Sequence, residues 1–194
     1  QRIRSEFAAS QEKLKKFQQE QVDAHHARLD RMEQLEQIFE QLQTVWRPRL
    51  EALAAEFGDR LETTPKITKG RRQATLKVES PLARIKLSFS ASANADVTEL
   101  ILTHDLEILP VLMQFERHAE IAFPLDSIDP EAIGQWFDDR IVGFVKTYLS
   151  LHENEYYLKE QMVEDPIAHI RFPKFAAGAT RERQGKSYYF ISEE

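Results

Sequence analysis

The stretch that decides the fold is a run of alternating side chains, Val97-Thr98-Glu99-Leu100-Ile101-Leu102-Thr103-His104-Asp105-Leu106-Glu107-Ile108. Every second residue from Leu100 to Ile108 is apolar except His104. A period of two over this length is typical of a strand with one buried and one exposed face. A histidine in the apolar register is more often a hydrogen-bonded core residue than a ligand.

The neighbouring segments continue this pattern. Ala74 to Val78 and Ile85 to Phe89 alternate in the same way, and Ser80-Pro81 and residues 93–96 supply turns. After Pro110, residues 111–115 and 119–125 predict one or two further strands. The connections are too short for parallel crossovers, so we expect an antiparallel sheet of four or five strands.

A helix is predicted directly after these strands. Asp129-Pro130-Glu131 combines an N-cap residue, a proline at the first helical position and an acidic first turn. Apolar residues then recur at helical spacing: Ile133, Phe137, Ile141, Phe144, Tyr148 and Leu151. Such a helix covers one face of a sheet, and the expected fold class is α+β.

The first 57 residues are predicted to form a long helix, because they are rich in good helix formers and lack glycine. From residue 29 onward, apolar residues follow an average spacing of about 3.5, which is typical of a helix seam. They are Leu29, Met32, Leu35, Phe39, Leu42, Trp46, Leu50, Leu53 and Phe57. Pro48 should kink this helix or start a new one.

Two interpretations of this seam remain open. Leu29, Met32, Leu35, Phe39 and Leu42 either bind a partner helix or a second copy, or they pack on the chain's own sheet. Residues 1–28 are more polar, and they favour a partner or partial disorder.

Charge and composition exclude several classes of protein. Residues 93–165 hold 16 acidic and 4 basic side chains, so general binding to nucleic acid is not expected. No apolar run is long enough to span a membrane. The chain has no cysteine, which excludes disulfides and thiolate zinc sites and is compatible with a cytoplasmic location. It begins at Gln1, which suggests an excerpt of a longer protein.

Motifs of catalysis are missing from the sequence. There is no phosphate-binding glycine loop, no Gly-x-Ser-x-Gly elbow and no His-Glu-x-x-His pair. The sequence therefore favours a role other than catalysis.

The last thirty residues combine an Asp-Pro turn, a short extended run, a Gly-Lys turn and an aromatic strand. This segment resembles the YHS-type module, a small domain of metal-handling proteins and of some oxygenases. The matching residues are Asp165, Pro166, Gly185, Lys186, Tyr188, Tyr189, Phe190 and Ser192. Ala168 and Ile191 occupy the positions of the family's metal-binding cysteines.

The resulting prediction has three parts: a helical extension (1–60), an α+β body (61–160) and a YHS-like β module (161–194). The first functional hypothesis is an interaction or assembly protein that self-associates, or binds a partner helix, through its N-terminal helix. The alternative, implied by the resemblance, is a metal-binding or metal-sensing accessory protein with Asp165 and His169 as ligands of a divalent metal. A third hypothesis is a small-molecule site between the sheet and its covering helix.

Overall fold

The computed structural model describes residues 2–193, and it describes their side chains except those of residues 2–6, 8 and 9. A five-stranded antiparallel sheet forms the centre, in the sequential order β1 to β5. Its strands are β1 (Leu61–Thr68), β2 (Arg71–Val78), β3 (Arg84–Ala93), β4 (Glu99–Leu109) and β5 (His118–Pro124). The predicted α+β fold with an antiparallel sheet is confirmed.

One face of the sheet carries the core. Leu102 on β4 lies opposite Ala91 on β3 and Ile121 on β5, and Leu106 lies opposite Leu87. Of the one or two strands predicted after Pro110, one is present, β5, and residues 111–115 belong to the loop before it. The other face is polar, with hydroxyl pairs such as Ser90 and Thr103 at 2.5 Å.

Two long helices cover the apolar face of the sheet. Helix α2 (Pro130–Leu151) begins as predicted, because the Asp129 carboxylate accepts hydrogen bonds from the backbone N–H groups of Glu131 and Ala132 at 2.9 and 3.1 Å. Its residues Ile133, Phe137, Phe144, Tyr148 and Leu151 are buried.

Helix α1 (Arg2–Phe57) is continuous, and no new helix begins at Pro48. A proline leaves a carbonyl of the preceding turn without its usual donor. Close to this point the Arg49 side chain donates to the backbone carbonyl of Val45 at 2.8 Å. Only the second half of α1 lies on the sheet, whereas residues 10–30 are exposed except for the half-buried Ala27.

The C-terminal unit consists of helix α3 (Glu155–Leu158) and two hairpins. The first hairpin joins β6 (Met162–Glu164) to β7 (Arg171–Pro173), and the second joins β8 (Ala179–Arg183) to β9 (Lys186–Phe190). Gln184 and Gly185, with φ angles of 55° and 72°, form the second turn, as a two-residue hairpin requires.

The C-terminal unit is anchored to the body through a tyrosine. The buried Tyr157 hydroxyl donates to the Pro110 carbonyl at 2.7 Å and accepts from the N–H of Leu112 at 3.0 Å. Phe175 meets the His152 ring edge-on at a centroid distance of 5.6 Å. These contacts tie the unit to the end of β4 and the end of α2.

Candidate functional site

The structure divides the residues predicted to bind a partner. Leu35, Phe39 and Leu42 are at most 1% exposed and belong to the core on the chain's own sheet, so they are not available to a partner. Met32 is half-buried against the core beside the turn at Gly70. Leu29 is 49% exposed. For the buried residues the second interpretation of the seam, packing within the chain, applies.

Polar contacts fix this half of α1 to the sheet. The Glu36 carboxylate accepts hydrogen bonds from the backbone N–H of Gly70 at 2.6 Å and from the Arg72 guanidinium at 2.5 Å. Burial opposes the ionisation of Glu36, but these two donors outweigh it and lower the pKa of this carboxyl. The same guanidinium lies 4.6 Å from the centre of the Phe39 ring.

A second ion pair joins α1 to α2. The Arg49 guanidinium donates two hydrogen bonds to Asp138, at 2.8 and 3.0 Å. A paired fork of this kind fixes the relative position of two helices better than a single contact does. The second half of α1 is therefore a rigid part of the body.

The first half of α1 carries an exposed apolar stripe. Phe7, Leu14, Phe17, Val22 and Leu29 are between 47% and 68% exposed. At 3.6 residues per turn, Phe17 lies on the same side of the helix as the buried core residues of its second half. Leu14 and Phe7 lie about 60 to 80° from the centre of that side, and Leu29 and Val22 lie about 120 to 140° from it. The stripe is therefore centred at the edge of the core-facing side and turns away from that side at Val22 and Leu29, without a sheet beneath it.

Charges along this projecting segment are unevenly distributed. Glu12 precedes Lys13, Lys15 and Lys16 in its first part, and Glu20 and Asp23 precede Arg28 in its second part. At 3.6 residues per turn, Lys13, Lys16, Glu20 and Asp23 lie on the side of the helix opposite the stripe, so this segment is amphipathic.

A second candidate site is an apolar cleft of about 680 Å³ beside α1. One wall is formed by Trp46 and Leu50 of α1, and the opposite wall by Pro65 and Ile67 of the edge strand β1. Ala74 and Ala91 line it from β2 and β3, with Phe39, Phe89 and Phe137 contributing aromatic rings. Clefts of this volume and lining are typical of small-molecule sites.

This cleft does not coincide with the small-molecule site predicted between the sheet and α2. It lies mainly between α1 and β1, with Phe137 as the contact from α2. Strand β1 was not recognised, because its side chains are largely exposed and show little alternation. The sequence did contain one signal for the cleft: the small residues Ala74 and Ala91 occupy core-facing strand positions and leave space beside them.

Asp165 and His169, the predicted metal ligands, occupy a turn between β6 and β7. One Asp165 carboxylate oxygen accepts from the N–H groups of Ile167 and Ala168 at 2.7 and 3.0 Å, and the other accepts from Ile191 at 3.0 Å. These backbone donors lower the pKa of Asp165. Asp165 therefore caps the turn that it opens.

His169 does not lie in a strand as expected, because its φ angle of 59° places it at the end of the turn. Its Nδ1 lies 3.2 Å from the Glu164 carboxylate, and its side chain is 75% exposed. Among residues 2–193, no three His, Asp or Glu side chains come together in a geometry suited to a metal ion.

His104 departs from expectation in another way. It is buried at 2% exposure, its ring centroid lies 5.3 Å from that of Phe89, and neither ring nitrogen has a hydrogen-bond partner within the described residues. Burial, with the nearby Arg140 cation, lowers the pKa of His104. The ring is therefore a neutral core group near pH 7, and its two nitrogens without partners lower the stability of the fold.

No protein-family model matches the chain, and no curated protein or solved structure shows significant similarity to it. Within residues 2–193 none of the helices combines the length and apolar character that crossing a bilayer requires.

Proposed function

We propose that this chain is an assembly protein, and that residues 7–29 of α1 hold two copies of it together. The exposed apolar stripe carries this proposal. Its five residues expose apolar surface on the half of α1 that projects beyond the body, and a helix with an uncovered apolar side gains stability by packing on a partner.

The apolar surface on the stripe is sufficient for a moderate affinity. Each of the five side chains is about half exposed, so that burying it contributes about 1 kcal/mol. Two copies together supply about 10 kcal/mol, which exceeds the lower estimates, about 4 kcal/mol, of the rotational and translational cost of association. The helical pairing therefore stabilises a dimer that dissociates on dilution.

The test of this proposal is the mass of the particle in solution. We expect light scattering coupled to size exclusion to give a dimer for the natural chain at micromolar concentrations. Phe17→Lys should give a monomer with an unchanged near-ultraviolet circular dichroism, because the aromatic side chains of the folded body keep their surroundings. Gln19→Lys is the matched control, since it adds the same charge on the other side of the same turn, and it should remain a dimer. A natural chain that stays monomeric at its highest soluble concentration would overturn the proposal.

The cleft favours a second candidate function, the binding of a neutral apolar small molecule. Its walls are apolar, and the two arginines at its border, Arg47 and Arg72, are already paired with Glu51 and Glu36. An anionic group would have to compete with those carboxylates, so an uncharged ligand fits the site best.

Trp46 in the wall of the cleft provides the assay. In a Trp136→Phe background, titration with N-phenyl-1-naphthylamine should quench Trp46 emission with saturation. Ala74→Leu should fill the cleft and abolish the effect. The control Ala122→Leu, an exposed position on the polar face of β5, should leave it unchanged. Equal quenching in both variants would locate the probe elsewhere and refute this function.

The resemblance of the C-terminal unit to the YHS-type module concerns its scaffold. The turn held by Asp165 and the turn at Gly185 support a packing role. The metal-binding alternative requires Asp165 to exchange backbone donors for an ion, which would open the turn. Calorimetric titration with zinc, copper and iron tests it, and binding tighter than about 100 μM that is lost in His169→Ala would favour the metal role instead.

A further inference from the structure

We propose that His104 is the sensor of an acid-sensitive switch. Proton uptake by its buried ring breaks the contact between Arg140 of α2 and Glu116 of the loop before β5 (residues 110–117), so that this loop detaches from β4. The opening is local to one edge of the sheet. It depends neither on self-association through α1 nor on a ligand in the apolar cleft.

His104 lies one strand away from the edge of the sheet. In the sheet register it is opposite Phe89 of β3 and Ala119 of the edge strand β5, and neither of these neighbours titrates. The Phe89 ring packs on one side of the imidazole at a centroid distance of 5.3 Å. Ala119 offers only a methyl group on the other side and is itself half-buried. The imidazole is therefore nearest to solvent on the side of β5.

Arg140 and Glu116 meet at this edge. Glu116 is held there because the carbonyl of the next residue accepts a hydrogen bond from the N–H of Leu106 on β4 at 2.8 Å. Arg140 lies three residues after Phe137 on the side of α2 that packs on β3. Nη1 of Arg140 donates to the Glu116 carboxylate, and this contact ties the loop to α2 beside the buried ring.

Buried polar atoms without partners are concentrated at the same place. Nδ1 and Nε2 of His104 and Nε of Arg140 are buried and have no hydrogen-bond partner among the described residues. Among the side chains that the structure describes, no other buried nitrogen or oxygen lacks a partner. Each such atom lowers the stability of the closed arrangement, so this edge is held less firmly than the rest of the core.

A proton on His104 adds a second positive charge beside Arg140. Burial and the Arg140 cation, in this order, lower the pKa of His104, and the Glu116 carboxylate offsets them only in part. The Asp105 carboxylate lies on the other face of the sheet, 2.7 Å from Nδ1 of His118. Glu116 is therefore the anion for which the imidazolium and the guanidinium compete.

Other charged side chains of the loop and of α2 have partners elsewhere. Arg117 lies over the Phe115 ring at 5.6 Å. Asp138 pairs with Arg49, and Asp139 accepts from a side-chain amide one turn earlier at 2.9 Å. The response of the ring to acid is therefore decided by the guanidinium and the carboxylate that meet beside it.

The direction of the switch follows from linkage. In the closed state the ring stays neutral, whereas an opened ring in water has its ordinary pKa of about 6.5. Protons therefore favour the open state, and the opening equilibrium constant rises as the pH falls below about 6.5. It should be about 30-fold higher at pH 5 than at neutral pH. Above about pH 6.5 the ring is neutral in both states, and proton binding no longer favours opening.

Native-state hydrogen exchange, followed by NMR on the full chain, measures this opening. The N–H of Leu106 reports it, because its acceptor is the Arg117 carbonyl of the loop. Exchange of a freely exposed N–H slows about tenfold for each unit by which the pH falls, because hydroxide catalyses it. In the natural chain the rising opening constant should cancel this decrease, so that the Leu106 exchange rate stays nearly constant from about pH 6 to pH 5.

Two substitutions of the sensor remove its titration. In His104→Gln the side chain stays polar but takes up no proton, and the Leu106 exchange rate should fall about tenfold over the same pH range. His104→Leu should behave in the same way, and it replaces the glutamine variant if that variant does not fold. A decrease of about tenfold in the natural chain as well would overturn the proposal.

A substitution in the contact itself tests the role of the loop. Glu116→Gln removes the charge that holds Arg140 and should raise the Leu106 exchange rate at pH 7 about threefold. Glu120→Gln removes the same charge from an exposed position on the other face of β5, and it should leave the rate unchanged. Equal rates in Glu116→Gln and the natural chain would mean that the contact does not hold the loop, and the switch would lack its mechanism.

Urea distinguishes the local opening from unfolding of the whole chain. A local opening exposes little surface, so the Leu106 exchange rate should not respond to low urea concentrations. The N–H of Leu76, in β2 between two paired strands, should exchange more slowly and respond to urea. If both N–H groups show the same rate and the same urea dependence, His104 is exposed only by global unfolding and the switch is refuted.

Discussion

The same substitution in the two halves of α1 should have two different effects. Leu42 is 1% exposed and lies in the core, whereas Leu14 is 58% exposed on the projecting half. Leu42→Ala and Leu14→Ala remove the same atoms from the same helix with the same change of helix propensity. Differences between them therefore report the surroundings of each side chain.

The expected magnitudes follow from burial. Leu42→Ala should lower the free energy of unfolding by about 3 kcal/mol, through lost transfer energy and a residual cavity. At a urea m value of about 2 kcal/mol/M, this moves the midpoint by about 1.5 M. Leu14→Ala should change the unfolding of the body by no more than about 0.5 kcal/mol. It should instead raise the dimer dissociation constant about 30-fold, through about 1 kcal/mol lost from each copy.

Urea denaturation followed by circular dichroism, repeated across about a hundredfold range of protein concentration, separates the two effects. A midpoint that depends on concentration reveals coupling to dimerisation. The loss in Leu42→Ala should be the same at every concentration, and the loss in Leu14→Ala should appear only where the natural chain is dimeric. If Leu42→Ala costs less than about 1 kcal/mol, or if its effect follows concentration, the division of α1 into a core half and an interface half is wrong.

Three further outcomes are expected. His104→Leu should raise the free energy of unfolding by about 1 kcal/mol near pH 7, because it removes a buried polar ring without partners. Since the folded-state pKa of His104 lies below the ordinary value, the natural chain should lose stability as the pH falls through about 6.5, where the unfolded chain takes up the proton first. The loss of stability at acidic pH should be smaller in His104→Leu. If urea midpoints plotted against pH had the same slope for His104→Leu and the natural chain, this expectation would be wrong. The hydrogen bond to Asp105 raises the pKa of His118. His118 therefore stabilises the fold below about pH 6.5, and this stabilisation is lost at higher pH. Without it, His118→Gln should lose stability more steeply than the natural chain as the pH falls. Gly178→Ala should loosen the C-terminal unit and accelerate its proteolysis, because the new Cβ would lie 2.8 Å from the Ile191 carbonyl oxygen, while Ala179→Gly, its neighbour, serves as the control for altered backbone freedom.

Local patterns account for much of this fold. The alternation around Leu102 predicts its strand, and the Asp129 cap with the stripe from Ile133 to Leu151 predicts α2 correctly. Such elements are predictable because each one buries a single side, so that apolar residues recur with the period of the strand or the helix. Strand β1 left no such period, since it lies at the sheet edge with both faces largely exposed.

The candidate sites depended more on tertiary structure. The seam of α1 looks the same at Leu29 and at Leu42, because periodicity shows that a side is apolar and does not show what covers it. The sheet ends near Met32, and this position alone separates core from exposed stripe. The cleft likewise arises where β1 extends beyond the area that α1 covers.

By itself, the sequence determined the α+β class, the antiparallel character of the sheet and the helical character of the first 57 residues. These properties follow from short-range periods, caps and turns. Only the tertiary structure decided which half of α1 is buried and where the apolar cleft lies. It also decided that the Asp165 carboxylate accepts hydrogen bonds from backbone N–H groups. Each of these depends on contacts between residues far apart in the chain, which no local pattern records.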